Sequence, residues 1–334
     1  MKLALKITPQ RSTQYANMTE RLAIPELLAS PLGPTIQRVE QVKLAGQAYV
    51  LVELADTLPA CWLEILARLG ATSEAYEYFE HLGNMPGPFL RPLERPFTPF
   101  VPLEMSETRR YKGKTNELFT HVLLNVAIFA GAYSEQFTGR LRVLDPLAGG
   151  GTTLFLALAC GYDAFGIEHE RQDVETTEVF IRQYFNSEHI PYKEVDERGR
   201  RAGRRYQFEV GPKKDTRWLV LVHGDTVQAQ QHLQEVPGGP RMHAIVADLP
   251  YGIQHFGEIE GLLTSALPAW KRLLLPGGTI ALAWNATRIE RDEMVAFFSR
   301  QADLHVRNEP PYTEFSHAVD RVIKRRDILI AVKD

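Results

Sequence analysis

The sequence predicts a doubly wound, mostly parallel α/β sheet with helices on both faces, preceded by a small α+β unit. Three observations carry that expectation. From residue 142 onward, short apolar runs alternate with longer helical segments, the order that builds a parallel sheet with crossover helices. A glycine-rich turn follows the first of these runs directly and leads into a helix. A stretch with prolines at 86, 88, 92, 96, 99 and 102 separates the two parts of the chain.

Along the chain, 3–7 and 49–54 have strand character, and 18–28 and 59–69 have helical character. Together they make a small α+β domain over 1–85. Prolines at the density that follows forbid a long helix or a central strand, so 86–105 reads as an extended linker. The second domain then spans 106–334. Its first element, 116–132, has the length and apolar content of a buried helix. Strands are expected at 142–144, 164–167, 218–222, 244–247, 279–284 and 328–332, and helices at 153–160, 174–185, 258–274 and 291–301. One irregular piece, 190–216, holds Arg198, Arg200, Arg201, Arg204, Arg205, Lys213 and Lys214 with Tyr206 and Phe208 among them. It reads as a basic excursion on the surface, shaped as a β-hairpin.

Composition narrows the function classes. Hydrophobic residues make up 44% of the 334 and charged residues 24%, as in a packed globular protein and unlike a disordered chain. With 38 Lys and Arg against 41 Asp and Glu the net charge is -3, which argues against a generic polycation that coats nucleic acid. A local basic surface remains compatible with it. The two cysteines, Cys61 and Cys160, cannot build a disulfide framework, and the ten histidines have no ligand spacing, so no metal is expected. Cys160 lies in an apolar helical segment and reads as core. The apolar start of the chain is too short and interrupted for a signal peptide, and no apolar run approaches the roughly 18 residues of a membrane span. These features lead us to expect a soluble, cytoplasmic protein without a membrane partner.

The run Val143-Leu144-Asp145-Pro146-Leu147-Ala148-Gly149-Gly150-Gly151-Thr152-Thr153 joins a strand to a helix through a tight turn. Open α/β sheets bind ligands at the carboxyl ends of their strands. Glycines let the backbone approach a ligand, and the amides of a helix N-terminus offer donors. No lysine follows the last glycine, so this is not a Walker loop, and the full dinucleotide spacing is absent. A nucleoside-containing ligand fits; a turn needing flexible backbone is the plainer alternative. About 20 residues on, Glu168 ends the next strand, where an acid can accept both ribose hydroxyls. Asp225 follows a third strand and is placed to reach an exocyclic amine of the ligand. Singly, such acids are as readily caps or turn residues; three at successive strand ends favour a ligand.

A second motif, Ala247-Asp248-Leu249-Pro250-Tyr251-Gly252, again joins an apolar strand to a polar turn. The pair of motifs resembles the amino-group methyltransferases that use S-adenosylmethionine. There an Asp-Pro-x-x-Gly-x-Gly-Thr turn is followed by an Asn- or Asp-x-Pro-Tyr or -Phe motif. Asp145, Pro146, Gly149, Gly151 and Thr152 match the first, and Asp248, Pro250 and Tyr251 the second. Asp-Leu-Pro-Tyr-Gly is similar to the THUMP-type tRNA guanine-N2 methyltransferases, with Leu249 departing from the commoner Asp-Pro-Pro-Tyr. The resemblance covers about two thirds of the chain, from near residue 108 to residue 334. It implies a Rossmann-like class I methyltransferase sheet, S-adenosylmethionine as cofactor, and RNA, above all tRNA, as partner. It also places Thr115 and Asn116, together with Asp248, beside the cofactor; Thr115 or Asn116 can equally cap the helix that follows.

The residue types suit that chemistry. An exocyclic amine is a poor nucleophile because its lone pair is delocalised into the base. Asp248 and the Leu249 carbonyl can accept its two hydrogens and stabilise positive charge as the methyl arrives. Pro250 fixes the turn, and Tyr251 can stack on a base swung out of its helix. For phosphate contact the candidates are Arg109, Arg110, Lys112 and Lys114, then Arg201, Arg204 and Arg205. His317 and the basic run 321–326 extend that surface. The N-terminal unit reads as an RNA-holding domain. Two alternatives stay open: a DNA adenine-N6 or cytosine-N4 methyltransferase, which shares both motifs, and a non-catalytic nucleic-acid-binding protein with a vestigial fold.

Overall fold

The computed structural model describes residues 1–9, 17–55, 60–111, 113–195, 205–250, 256–319 and 324–334. In the first part Lys2–Ile7 (β1), Ile36–Leu44 (β2), Gln47–Leu54 (β3), Thr72–Leu82 (β4) and Met85–Pro92 (β5) form an antiparallel sheet in the order β2-β3-β1-β4-β5. Alternation sends Leu3, Leu5 and Ile7 to the inner face, where they join the core with residues of Met18–Ala29 (α1) and Ala60–Arg68 (α2). On the other face Lys2 pairs with Glu80, Lys6 with Glu74 and Arg38 with Glu40. Cations matched in this way leave little net positive charge to receive phosphates there.

The proline-rich stretch is not a free linker. Pro86, Pro88 and Pro92 belong to β5, which pairs with β4 as the outermost strand. An edge strand has amides that no neighbour needs, which is where proline is tolerated. The chain beyond it is docked: Phe100 N donates to Ala159 O at 2.8 Å, and Val101 and Met105 are buried in the core. Glu104–Thr108 (α3) follows at once.

Glu117–Phe129 (α4) is the expected buried helix, and eleven of its thirteen residues are buried. A helix apolar all round must be covered on every side. One side meets α1, and the other meets the large sheet, where Thr279 Oγ1 donates to Ala127 O at 2.7 Å. Glu26, fully buried on α1, accepts from Gly70 N, Ala71 N and Asn125 Nδ2 at 2.8 to 2.9 Å. Its carboxyl therefore ties the small unit to the large one through α4.

The large sheet comprises Arg142–Asp145 (β6), Asp163–Glu168 (β7), Tyr192–Glu194 (β8), Arg205–Val210 (β9), Arg217–His223 (β10), Met242–Asp248 (β11), Leu274–Asn285 (β12), Leu304–Arg307 (β13) and Arg326–Lys333 (β14). Their order is β13-β14-β12-β11-β6-β7-β10-β9-β8. The five central strands, β10-β7-β6-β11-β12, run parallel, and β14 and β9 flank them antiparallel. This is the doubly wound, Rossmann-like architecture expected from the sequence. Thr152–Ala159 (α5) and Arg171–Ser187 (α6) cover one face with α4; Ala229–His232 (α7), Phe256–Leu273 (α8) and Arg291–Ser299 (α9) cover the other. The basic excursion joins the sheet edge as the β8–β9 hairpin, itself continued by β10. Arg198, Arg200, Arg201 and Arg204 lie outside the described residues, as do Lys112 and Tyr251. Among the described residues no helix is long and apolar enough to cross a membrane.

From β6 the chain winds outward through β7 and β10, then returns to β11 and winds the other way. The order reverses between β6 and β11, and a crevice opens at the carboxyl ends of strands on either side of such a reversal. Asp145 and Asp248 end those two strands.

Candidate active site

A cavity of about 800 Å³ occupies that crevice. Its walls carry ten of the expected site residues: Thr115, Asp145, Pro146, Gly149, Thr152, Glu168, Asp225, Asp248, Leu249 and Pro250. Glu170 adds a fifth carboxylate, and no Lys or Arg is among the described residues that line it.

Three of these acids are held by backbone amides of nearby turns. Asp145 Oδ1 accepts from Leu147 N at 3.0 Å, and Thr153 hydrogen-bonds the same carboxyl. Burial, reinforced by Glu168 and Asp248 nearby, pushes its carboxyl up to about 7. Glu168 closes the glycine turn: Oε2 accepts from Gly149 N and Oε1 from Glu170 N, both at 2.7 Å. Each oxygen has a second lone pair for a ligand hydroxyl. Asp225, exposed at the rim, accepts from Val227 N at 2.9 Å and so caps a short 3₁₀ turn. Leu249 is buried, its N–H donating to Ala283 O at 2.8 Å, while Pro250 is exposed.

The three glycines are required for two different reasons. Gly149 (φ +50°) and Gly151 (φ +89°) take the left-handed conformation the turn requires. Gly150 is forced by space instead, because a Cβ there would lie 2.3 Å from the Tyr111 ring. Tyr111, which sequence reasoning passed over, packs on the turn and its hydroxyl lies 2.8 Å from Thr152 Oγ1. A third adjacent glycine was the available signal.

Of the two residues placed to cap α4, Asn116 does so, its Oδ1 accepting from Leu118 N and Phe119 N. Gly151 stands at the N-cap of α5 against Phe155 and Thr177. The expected basic surface needs correcting. Arg109 is buried, donating to Thr176 and lying over the rings of Tyr111 and Phe180, so it cannot meet phosphates. Lys114 donates to Glu107 O and pairs with Glu117, and Arg205 donates to His232 O. Arg110 stays exposed. His317 and Arg326 are buried rather than part of a basic surface, and Arg325 is engaged by Ala286 O and Glu290. Cys160 is buried as expected, and burial pushes its thiol up to about 11.

At the second motif, Thr115 Oγ1 donates to Asp248 Oδ2 at 2.6 Å, and the Arg326 guanidinium lies 3.6 Å from the same oxygen. The motif turn thus presents a carboxylate held from two sides beside an acidic, nucleoside-sized cavity. Sites of this size are ordinary for small molecules. The acidic lining suits a cationic ligand and repels polyphosphates.

No protein-family model matches the chain, and no curated protein matches it. Among solved structures it is similar to TrmN from Thermus thermophilus, at 15% identity and a TM-score of 0.42, over 90% of this chain and 60% of that one. It is similar also to an rRNA methylase from Streptococcus thermophilus, at 13% identity and a TM-score of 0.34, over 60% of this chain and 90% of that one. A Streptococcus mutans protein solved in complex with SAH is similar at 14% identity and a TM-score of 0.36, over 60% of this chain and 93% of its own. The chain spans 60% of the length of the Thermus thermophilus protein.

Proposed function

We propose that the chain is an S-adenosylmethionine-dependent methyltransferase acting on an exocyclic amine of a nucleic-acid base, with guanine N2 of tRNA as the target. The observation that carries this reading is the juxtaposition at the switch point. A cavity with five carboxylates and no Lys or Arg among its described lining adjoins the Asp248-Leu249-Pro250 turn. A sulfonium nucleoside is a cation with ribose hydroxyls and an exocyclic amine, and the carboxylate acceptors of the lining suit these groups. Glu168 would hold the ribose hydroxyls, Asp225 the adenine amine, and the turn at Gly149 the backbone approach. When bound, S-adenosylmethionine supplies a methyl electrophile, the amine lone pair forming the N–C bond as the C–S pair stays with sulfur.

The chain's own residues act on the amine. Asp248 and the Leu249 carbonyl accept its hydrogens, orient the lone pair, and stabilise the positive charge that develops on nitrogen. Asp248 then takes the surplus proton at a carboxylate oxygen and releases it to water. Tyr251 stacks on the displaced base. The choice of guanine N2 in tRNA rests on the likeness of residues 248–252 to the THUMP-type enzymes.

The test is incubation with methyl-labelled S-adenosylmethionine and, separately, total tRNA, ribosomal RNA and unmethylated DNA, followed by nucleoside mass spectrometry. Labelled N2-methylguanosine from tRNA is the expected result. Label confined to DNA adenine or cytosine overturns the RNA assignment and keeps the amine chemistry. No label in any nucleic acid overturns the reading.

A further inference from the structure

We propose that Arg326 is a positioning residue for Asp248, holding the amine-receiving carboxylate in one orientation and in its charged form; this rests on the methyltransferase reading above.

The two residues meet across three strands. Asp248, at the end of β11, stands opposite Ala283 of β12, which stands opposite Ile328 of β14. Arg326 lies two residues before Ile328 and so projects from the same face of the sheet. Ala283 carries only a methyl group, and the guanidinium reaches past it to within 3.6 Å of Asp248 Oδ2. The Arg326 side chain is only 4% exposed. Its guanidinium lies 4.5 Å over the Phe119 ring of α4. The backbone of Arg326 is clamped to His317 by reciprocal hydrogen bonds of 2.9 and 3.0 Å. Thr115 donates to the same Oδ2 from the loop before α4.

Burying a guanidinium is expensive, and a packed apolar side chain at such a position is commonly as stable or better. Stability therefore does not account for a cation here, whereas the chemistry does. Asp248 shares its cavity with Asp145, Glu168, Glu170 and Asp225. Several carboxylates in one partly buried site disfavour each other's charge, and an adjacent cation restores it. The neighbouring charged groups do not compete for that role. His317 is pushed down to about 4 by burial and by Arg326 itself, and the adjacent Asp327 pairs with Arg291 at 3.1 Å. A charged, fixed carboxylate accepts an amine hydrogen and stabilises the cation that follows methyl transfer better than a neutral or wandering one.

The experiment compares wild type with Arg326→Met and Arg326→Lys. The Asp248 carboxyl is followed by ¹³C NMR in aspartate-labelled protein, its resonance identified by loss in Asp248→Asn. In Arg326→Met the Asp248 carboxyl resonance is expected to move, because the guanidinium beside it is gone. The kcat should fall about 100-fold while KM for RNA and affinity for S-adenosylmethionine stay within about threefold, and Arg326→Lys should recover to within about tenfold of wild type. If Arg326→Met fails to fold, Phe119→Leu, which strips the ring beneath the guanidinium, should move the resonance and kcat in the same directions by less. An unmoved resonance in an active, folded variant overturns the role of Arg326 alone, as does a loss confined to KM. A wild-type chain that methylates no nucleic acid overturns the methyltransferase reading and the positioning role together.

Discussion

Thr115 Oγ1 donates a 2.6 Å hydrogen bond to Asp248 Oδ2, joining residues 133 apart in the chain. Thr115→Val keeps the shape and removes the donor. A hydrogen bond to a charged group is worth about 1.5–3 kcal/mol, which predicts a fall in kcat of about 10- to 100-fold. Cofactor affinity should change by less than about threefold, because Thr115 acts through Asp248. Steady-state kinetics with calorimetric cofactor binding checks both. A loss of binding with unchanged kcat would make Thr115 a cofactor residue instead.

Gly150 is constrained by the Tyr111 ring rather than by its backbone angle. An alanine methyl would sit 2.3 Å from that ring, so Tyr111 must move and its contact with Thr152 must open. Overpacking of this kind costs about 1–3 kcal/mol, and cofactor affinity should weaken by at least about tenfold in Gly150→Ala. Tyr111→Phe, which loses only the hydroxyl, should cost much less. Isothermal titration of both variants separates wall displacement from the loss of one hydrogen bond.

The strands that carry the site were legible because a strand buried on both faces reads as a continuous apolar run, and an acid at its end breaks that run visibly. Asp145, Glu168 and Asp248 were found that way. Arg326 was not, because only the strand order β14-β12-β11 brings it to Asp248 and no local pattern encodes that order. Arg109 and Arg110 are chemically alike and adjacent, yet one is buried against Thr176 and the other exposed. Asn116 and Thr115 stand side by side as well; a cap and a carboxylate donor differ only in which way the helix starts. Proline density predicted extended backbone correctly at 86–92 but could not say that β4 would pair with it.

Asp145 makes stability depend on pH in an unusual direction. Burial pushes its folded carboxyl up to about 7 from an ordinary value of 3.8. Between those values the folded chain keeps a proton that the unfolded chain has released. The contribution to stability is therefore fully present below about pH 4 and is lost as the pH rises through about 7. At about 1.4 kcal/mol per unit the loss is on the order of 4 kcal/mol. Asp145→Asn should match wild type near pH 4 and exceed its melting temperature at pH 8. A cationic cofactor favours the charged form, so binding near pH 6 should release protons, seen as buffer-dependent heats that vanish in the variant. A melting difference independent of pH would remove Asp145 as the cause.

Glu26 tests the joint between the two units. Its buried carboxyl accepts three donors, Gly70 N, Ala71 N and Asn125 Nδ2, and burial raises its titration point. Glu26→Gln conserves volume but brings an amide NH₂ against at least one of those donors. A buried donor left unsatisfied costs about 1–3 kcal/mol. Glu26→Leu leaves all three unsatisfied and should cost more, in spite of its apolar side chain. Because α1 and α4 share one core, the loss should appear as a lower midpoint of a single urea transition monitored by tryptophan fluorescence. Two separated transitions in Glu26→Leu would mean instead that the small sheet unfolds alone, and that this carboxyl is what couples it to the large sheet.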